Sequence, residues 1–247
     1  MSRLFTANLV RLKKSKLFWG LTIAAAVLAV ALAVIMILYS DFLPIDKIMF
    51  VYPVLIGFIL PAFIGIFFGT EYSDGTIRNK LMIGHSRQNV YLANLLTALV
   101  VAVVWLAAYL LPVLLLGLPM VGAPSMGWGT AIAILLTSVV SIGAACSMHV
   151  MVSMISSNKA SATVVNLVLA FFSFEFSSIA SGVATAMTGI LADICRVIAD
   201  VLPMGQAVQF IMGGMSTPLW LLVVYAVAVI AICAAIGMRV FGTKNIK

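Results

Sequence analysis

Apolar residues fill this chain in long unbroken runs, and polar residues gather in the short intervals between them. The runs cover about 18–39, 48–68, 91–118, 130–155, 160–180 and 218–240. Each is close to the ~20 residues that a helix needs to cross hydrocarbon. They are continuous rather than alternating, which predicts spanning helices and not the strands of a barrel. The expected fold is an all-α polytopic membrane protein, one domain over 1–247 with six transmembrane helices.

The intervals carry their own pattern. Residues 2–17, SRLFTANLVRLKKSKL, put Phe5, Leu9 and Leu12 on one helical face,. Arg3, Arg11, Lys13, Lys14 and Lys16 surround that face, so an amphipathic helix lying in the interface near anionic headgroups is predicted,. Asp41 to Lys47, containing Pro44, reads as a turn, 119–129 (PMVGAPSMGWG) as a turn-rich outer loop and Ser156 to Lys159 as a tight connection,. Residues 181–217 are less apolar and too long for a turn; Val183 to Val201 is expected to form short helices at or dipping into the outer interface. Inside the spans, Ala25, Ala29 and Ala33 make a small-residue stripe suited to helix packing or a dimer interface,. Pro53, Gly57, Pro61 and Gly65 recur every four residues, a pattern that either bends the helix or seats a neighbour,.

Composition narrows the class. The chain is 64% hydrophobic and 9% charged, with a mean hydropathy of +1.23. Soluble domains carry roughly 25% charged residues, which excludes a water-soluble core. The net charge of +7 then marks membrane sidedness rather than a nucleic-acid partner,. With the N-terminus inside, the inner segments hold Arg3, Arg11, Lys13, Lys14, Lys16, Arg78, Lys80, Arg87, Lys159, Arg239, Lys244 and Lys247, and the outer ones Lys47 and Arg196. Twelve against two puts both termini in the cytoplasm of a cell membrane,. Cys146, Cys195 and Cys233 are an odd set without metal-ligand spacing; no disulfide framework or metal site is predicted,.

The longest polar interval at the inner face is Glu71 to Tyr91, EYSDGTIRNKLMIGHSRQNVY. Good helix formers follow Gly75, and Ile77, Leu81 and Tyr72 are placed to bury one side of a short helix over 70–82. Gly84 and His85 break that pattern, and Ser86 is placed to cap the third span with Asn89 at the N3 position,. A short helix held between two spans is a lever: a partner that pushes it moves both. The segment FFGTEYSDGTIRNKLMIGHSRQNVYLANLL resembles the cytoplasmic loop of type-2 ABC-exporter permeases, a family that includes antibiotic, peptide and lantibiotic-immunity transporters. The order of elements along the whole chain is similar too.

The resemblance implies that 70–90 is a cytoplasmic coupling segment in which Glu71, Asp74, Gly75, Thr76, Arg78 and Arg87 meet a nucleotide-binding subunit. It also implies a second permease copy or a paralogue, membrane lipids as the surroundings, and a bacterial source. No G-x-x-x-x-G-K-[ST] loop occurs, so no cofactor is expected on this chain, and ATP and Mg²⁺ belong to the partner subunit,. No catalytic residue is assigned.

Two readings of the intramembrane residues stay open. Glu175 is the acid inside a predicted span, about fifteen residues or roughly 22 Å from its start,. It is a candidate for the cargo path or a gate, or an acid bonded to neighbouring serines. Ala162, Asn166, Ala170, Ser173 and Ser177 form a small, polar stripe on the other side of that helix, with Asn166 also a candidate for the path,. The stripe suits a dimer axis or packing within the chain. His149 reads as a packed, hydrogen-bonded histidine. The leading expectation is therefore an exporter permease for a hydrophobic or amphipathic cargo (peptide, antibiotic or lipid-like). The alternatives are an ion-coupled transporter using Glu175 and a peptide-sensing or immunity subunit that moves nothing. An intramembrane protease lacks its nucleophile, base or ligand pattern.

Overall fold

The computed structural model describes residues 1–39, 44–156, 158–212 and 217–244. Their helices are α1 (Ser2–Lys13), α2 (Lys16–Leu38), α3 (Ile45–Met49), α4 (Tyr52–Ser73), α5 (Thr76–Met82), α6 (Arg87–Val121), α7 (Trp128–Ile155), α8 (Lys159–Ala186), α9 (Ile190–Val201), α10 (Pro203–Met212) and α11 (Leu219–Thr243). Six stretches are long and apolar enough to cross a membrane: α2, α3 with α4, α6, α7, α8 and α11. The all-α, six-span fold expected from hydropathy is the one observed. Of the polar connections, Asp41 to Leu43, Ser157 and residues 213–216 lie outside the described residues, as does Lys247.

Helix ends fall beyond the apolar runs, because a helix stops where its backbone is capped and not where its hydrophobicity fades. The second span continues from the expected 68 to Ser73, the third to Val121 and the fifth to Ala186. Gly122, at φ 93°, ends α6, a conformation that costs an L side chain energy and glycine little,. The second span also starts earlier, as the separate short helix α3.

The second and fourth spans form the centre: 61% of the apolar window of the second is buried, against 17% in the first, fifth and sixth. Glycines make that centre. A methyl on Gly65 would lie 2.5 Å from the Thr163 Cα, and one on Gly69 2.7 Å from the Lys159 Cα, so α4 and α8 touch backbone to backbone. Gly57 leaves room for the Met204 side chain of α10. The Pro–Gly stripe therefore seats neighbours. On α8, Ala162, Asn166, Ala170 and Ser177 are buried and Ser173 is half-buried. Ala29 and Ala33 of α2 are fully buried and Ala25 half-buried, in the helix that packs on α6. Both small-residue stripes pack against helices of this chain.

The buried acids at the end away from Glu71 accept from neutral donors. Asp46 of α3 accepts from the Ser125 amide at 2.9 Å, the Met126 amide at 3.3 Å and the Ser125 hydroxyl. The Lys47 ammonium donates to the carbonyls of Ile211 and Met212 at the close of α10. The expected helices of 183–201 resolve into the end of α8 and the amphipathic α9, followed by α10 after a bend of 101°. Asp200, buried on α9, accepts from Gln209 Nε2 at 2.9 Å and Thr217 Oγ1 at 2.6 Å.

Candidate functional site

At the opposite end, α4 finishes on Ser73, and Asp74 and Gly75 turn the chain into α5. Gly75 takes φ 67°, the left-handed region that glycine enters without strain,. Glu71 therefore stands on the last turn of the span itself and not on the short helix expected over 70–82. The Thr76 hydroxyl donates to the Glu71 carbonyl at 3.1 Å and satisfies one of the helix's last acceptors,. Ile77 is fully buried and ties α5 down, with Tyr72 and Leu81 packed on the same core. Ser86 caps α6 by accepting from the Asn89 amide at 3.3 Å, as its position predicts,.

The Glu71 carboxylate is buried and joins four elements. Its Oε1 accepts from Arg11 Nη1 of α1 and from Lys80 Nζ of α5, the latter at 2.7 Å. Its Oε2 faces Asn94 Nδ2 of α6 at 3.4 Å. Asn8 of α1 closes the ring: its amide donates to Asn94 Oδ1 at 2.7 Å and to Thr97 Oγ1 at 3.3 Å, and its carbonyl accepts from Lys80 at 3.1 Å. Arg11 also donates to the Phe67 carbonyl and lies 3.8 Å over the Phe67 ring. A carboxylate this deep needs such company, because an unpaired buried charge is very costly.

Two further links extend the junction. The Tyr72 hydroxyl donates to the Met154 carbonyl near the end of α7, and Lys244 Nζ donates to Ser156 O at 2.6 Å and Met154 O at 3.4 Å. Arg87 at the start of α6 donates to the carbonyls of Phe241 and Lys244, where α11 ends. Cations at helix C-termini complement both the free carbonyls and the helix dipole. Partial burial pushes the Lys244 ammonium down to about 8.

The six residues assigned to coupling thus separate into two groups. Glu71, Thr76 and Arg87 point inward and join helices. Asp74 and Arg78 are exposed, with Gly75 the turn between the groups. Beside Arg78 the segment ends in two exposed apolar side chains, Met82 (69% exposed) and Ile83 (77%). Sequence reasoning passed over both, although apolar residues closing a polar interval were a readable sign. It also left Asn8 and Asn94 unread and counted Lys80 only among the inner cations; the readable sign was a polar residue one turn from Leu4 and Leu12 on α1. The buried face of that helix is Leu4, Asn8 and Leu12, with Phe5 and Leu9 at its margin. It packs on α6.

Inside the bundle, Asn166 Oδ1 lies 3.1 Å from His149 Nδ1, and Asn166 Nδ2 donates to Ser153 Oγ at 2.7 Å. Asn166, considered for the cargo path, is thus buried between α7 and α8 and engaged there. Glu175 is half-buried on the other side of α8, between exposed Phe172 and Ile179. Residues 4–177 match the family described as ABC-2 family transporter protein. No curated protein matches the chain.

Proposed function

The chain belongs to the ABC-2 transporter family, and on that premise we propose that it is the membrane-spanning permease of an ATP-driven exporter. Its ATPase is a separate polypeptide that carries the ATP and Mg²⁺. In this reading the Glu71 end and both termini face the cytoplasm, following the excess of Lys and Arg on that side,.

The observation that carries the proposal is the Glu71 junction. A force on exposed Arg78, Met82 and Ile83 reaches α5, and through Lys80 and Glu71 it reaches α1, α4 and α6 together. Tyr72, Arg87 and Lys244 extend it to α7 and α11. Coupling between distant sites travels through such packed and hydrogen-bonded chains when they have two arrangements. Met82 and Ile83 supply the apolar anchor that a partner's groove takes up, with Arg78 on its polar rim.

Glu175 supports placing the cargo path, or a second permease copy, against the outward face of α8. A carboxylate beside Phe172 and Ile179 is expensive in hydrocarbon, and a water-filled passage or a partner relieves it,. The cargo that suits Phe171, Phe172, Phe176 and Ile179 is hydrophobic or amphipathic. The same acid favours one second reading, a proton-coupled transporter.

The test is purification of the tagged protein from its native membrane in mild detergent. A P-loop ATPase is expected to co-purify. Ile83→Asp is expected to weaken that association about thirtyfold, the size of a ~2 kcal/mol hot spot, with the melting temperature unchanged. If no ATPase accompanies the protein in several detergents, and transport persists without ATP but stops when the proton gradient collapses, the second reading replaces the first.

A further inference from the structure

Beside the Glu71 junction, where the link between α1 and α2 meets the last turns of α4, the surface opens into a cavity of about 360 Å³. Its walls are chemically unlike. Toward the spans it is apolar, formed by Leu17, Ile66 and Phe67. At its rim stand two opposite charges, Lys14 and Asp74, both exposed, and neither charged group has a partner among the described residues. The deeper charges are already satisfied: Arg11 holds Glu71 and the Phe67 carbonyl, and Glu71 also holds Lys80.

The depth of the cavity is marked independently. Lys16 opens α2, the first span, and Trp19 sits one turn along it, 48% exposed, its indole N–H donating to the Lys13 carbonyl at 2.9 Å. Tryptophan concentrates at the headgroup level, where its ring meets hydrocarbon and its N–H stays polar. The cavity therefore opens at the membrane surface, with an apolar wall on the hydrocarbon side and charges on the water side.

We propose that this cavity binds the headgroup of a zwitterionic glycerophospholipid. The phosphate lies against Lys14, the ammonium against Asp74, and the acyl chains leave along Leu17 and Ile66. A bare anion would face the Asp74 carboxylate and a bare cation the Lys14 ammonium, whereas a group carrying both signs satisfies the two together. The thin link between α1 and α2 and the turn at Gly75 flank the site, so the bound lipid bridges the amphipathic helix and the coupling segment. The site rests on this end lying at a membrane surface, and not on which face it is or on the ATPase.

The test uses the purified full-length chain without any ATPase, equilibrated with equal amounts of phosphatidylethanolamine and phosphatidylglycerol in mixed micelles and read by native mass spectrometry. Wild type is expected to retain the ethanolamine lipid about tenfold over the glycerol lipid, the scale of one charge-assisted hydrogen bond. Asp74→Asn is expected to remove that preference, Lys14→Gln to lower retention of both lipids, and Lys14→Arg to restore it. Both side chains are exposed, and an unchanged melting temperature shows that each variant is folded. Equal retention of the two lipids by wild type, or a preference that survives Asp74→Asn, overturns the proposal. A parallel arm adds inorganic phosphate or glycerophosphoethanolamine. Displacement of the retained lipid by inorganic phosphate alone identifies a soluble-anion site and overturns the lipid assignment; displacement by glycerophosphoethanolamine alone supports the headgroup chemistry.

Discussion

The two ends of this bundle hold their buried acids by different means. Glu71 is neutralised by two full cations, Arg11 and Lys80, contributed by α1 and α5. Asp46 and Asp200, at the other end, accept from neutral donors: backbone amides, hydroxyls and a glutamine. Backbone amides point one way and fix Asp46 to a single loop geometry. Charges act over longer distances and along several directions, so the Glu71 pairs tolerate rearrangement of the side chains that bring them. One end is a clasp and the other a joint. The joint is also the more fragile, because losing one ion-pair partner leaves the remaining charge partly desolvated.

That comparison is open to breaking. Glu71→Gln keeps the shape and removes the charge; it is expected to cost about 3 kcal/mol, read as the largest drop in melting temperature of the series. Adding Arg11→Gln to it is expected to cost little more, and full additivity would show that the two groups do not act as a pair. Asp46→Ala leaves the Ser125 and Met126 amides without their acceptor and is expected to cost about 2 kcal/mol with ATPase association unchanged. Equal costs for Asp46→Ala and Glu71→Gln would remove the distinction between the ends. Gly75→Ala meets no neighbouring atom, so its expected cost of about 1 kcal/mol is the left-handed backbone alone,; Gly75→Asn should lose less in the same melting assay.

The smallest effect concerns Lys244, whose ammonium titrates at about 8 in the folded protein against 10.5 for a free lysine. Folding disfavours its charged form. Below pH 8 that penalty is present in full, and between pH 8 and 10.5 the unfolded chain holds more protons, so stability rises with pH,. The melting temperature of wild type relative to Lys244→Met should climb slightly across this window, the shift being small because Lys244 is only half-buried. A flat difference would show that burial does not set its titration.

How far the sequence revealed these features depended on the range of the forces behind them. The six spans were legible because twenty apolar residues leave the chain no soluble alternative. The Ser86 cap and the Gly75 turn were legible because each is decided within a few residues. The Ala and Ser stripes were legible as sites of close approach, but residue size says nothing about whose helix arrives, and the neighbours were α6, α4 and α7 of the same chain. Least legible was the junction itself. Asn8 looks like a flaw in an apolar face until Asn94 and Lys80 stand beside it. Met82 and Ile83 were hidden for a different reason: they look like the inner face of a short helix, and only the placement of α5, with Ile77 inward, shows them to be outside.

The reach of that junction along the chain also sets when it can form. Glu71 follows Arg11 by 60 residues, and Asn94 follows Asn8 by 86. At synthesis rates of about 5–20 residues per second, α1 emerges from the ribosome on the order of ten seconds before the last of its partners. During that interval the α6 face that covers it in the folded protein does not yet exist. α1 is therefore made before the helices that lock it, and its polar contacts close only once the second and third spans are both inserted.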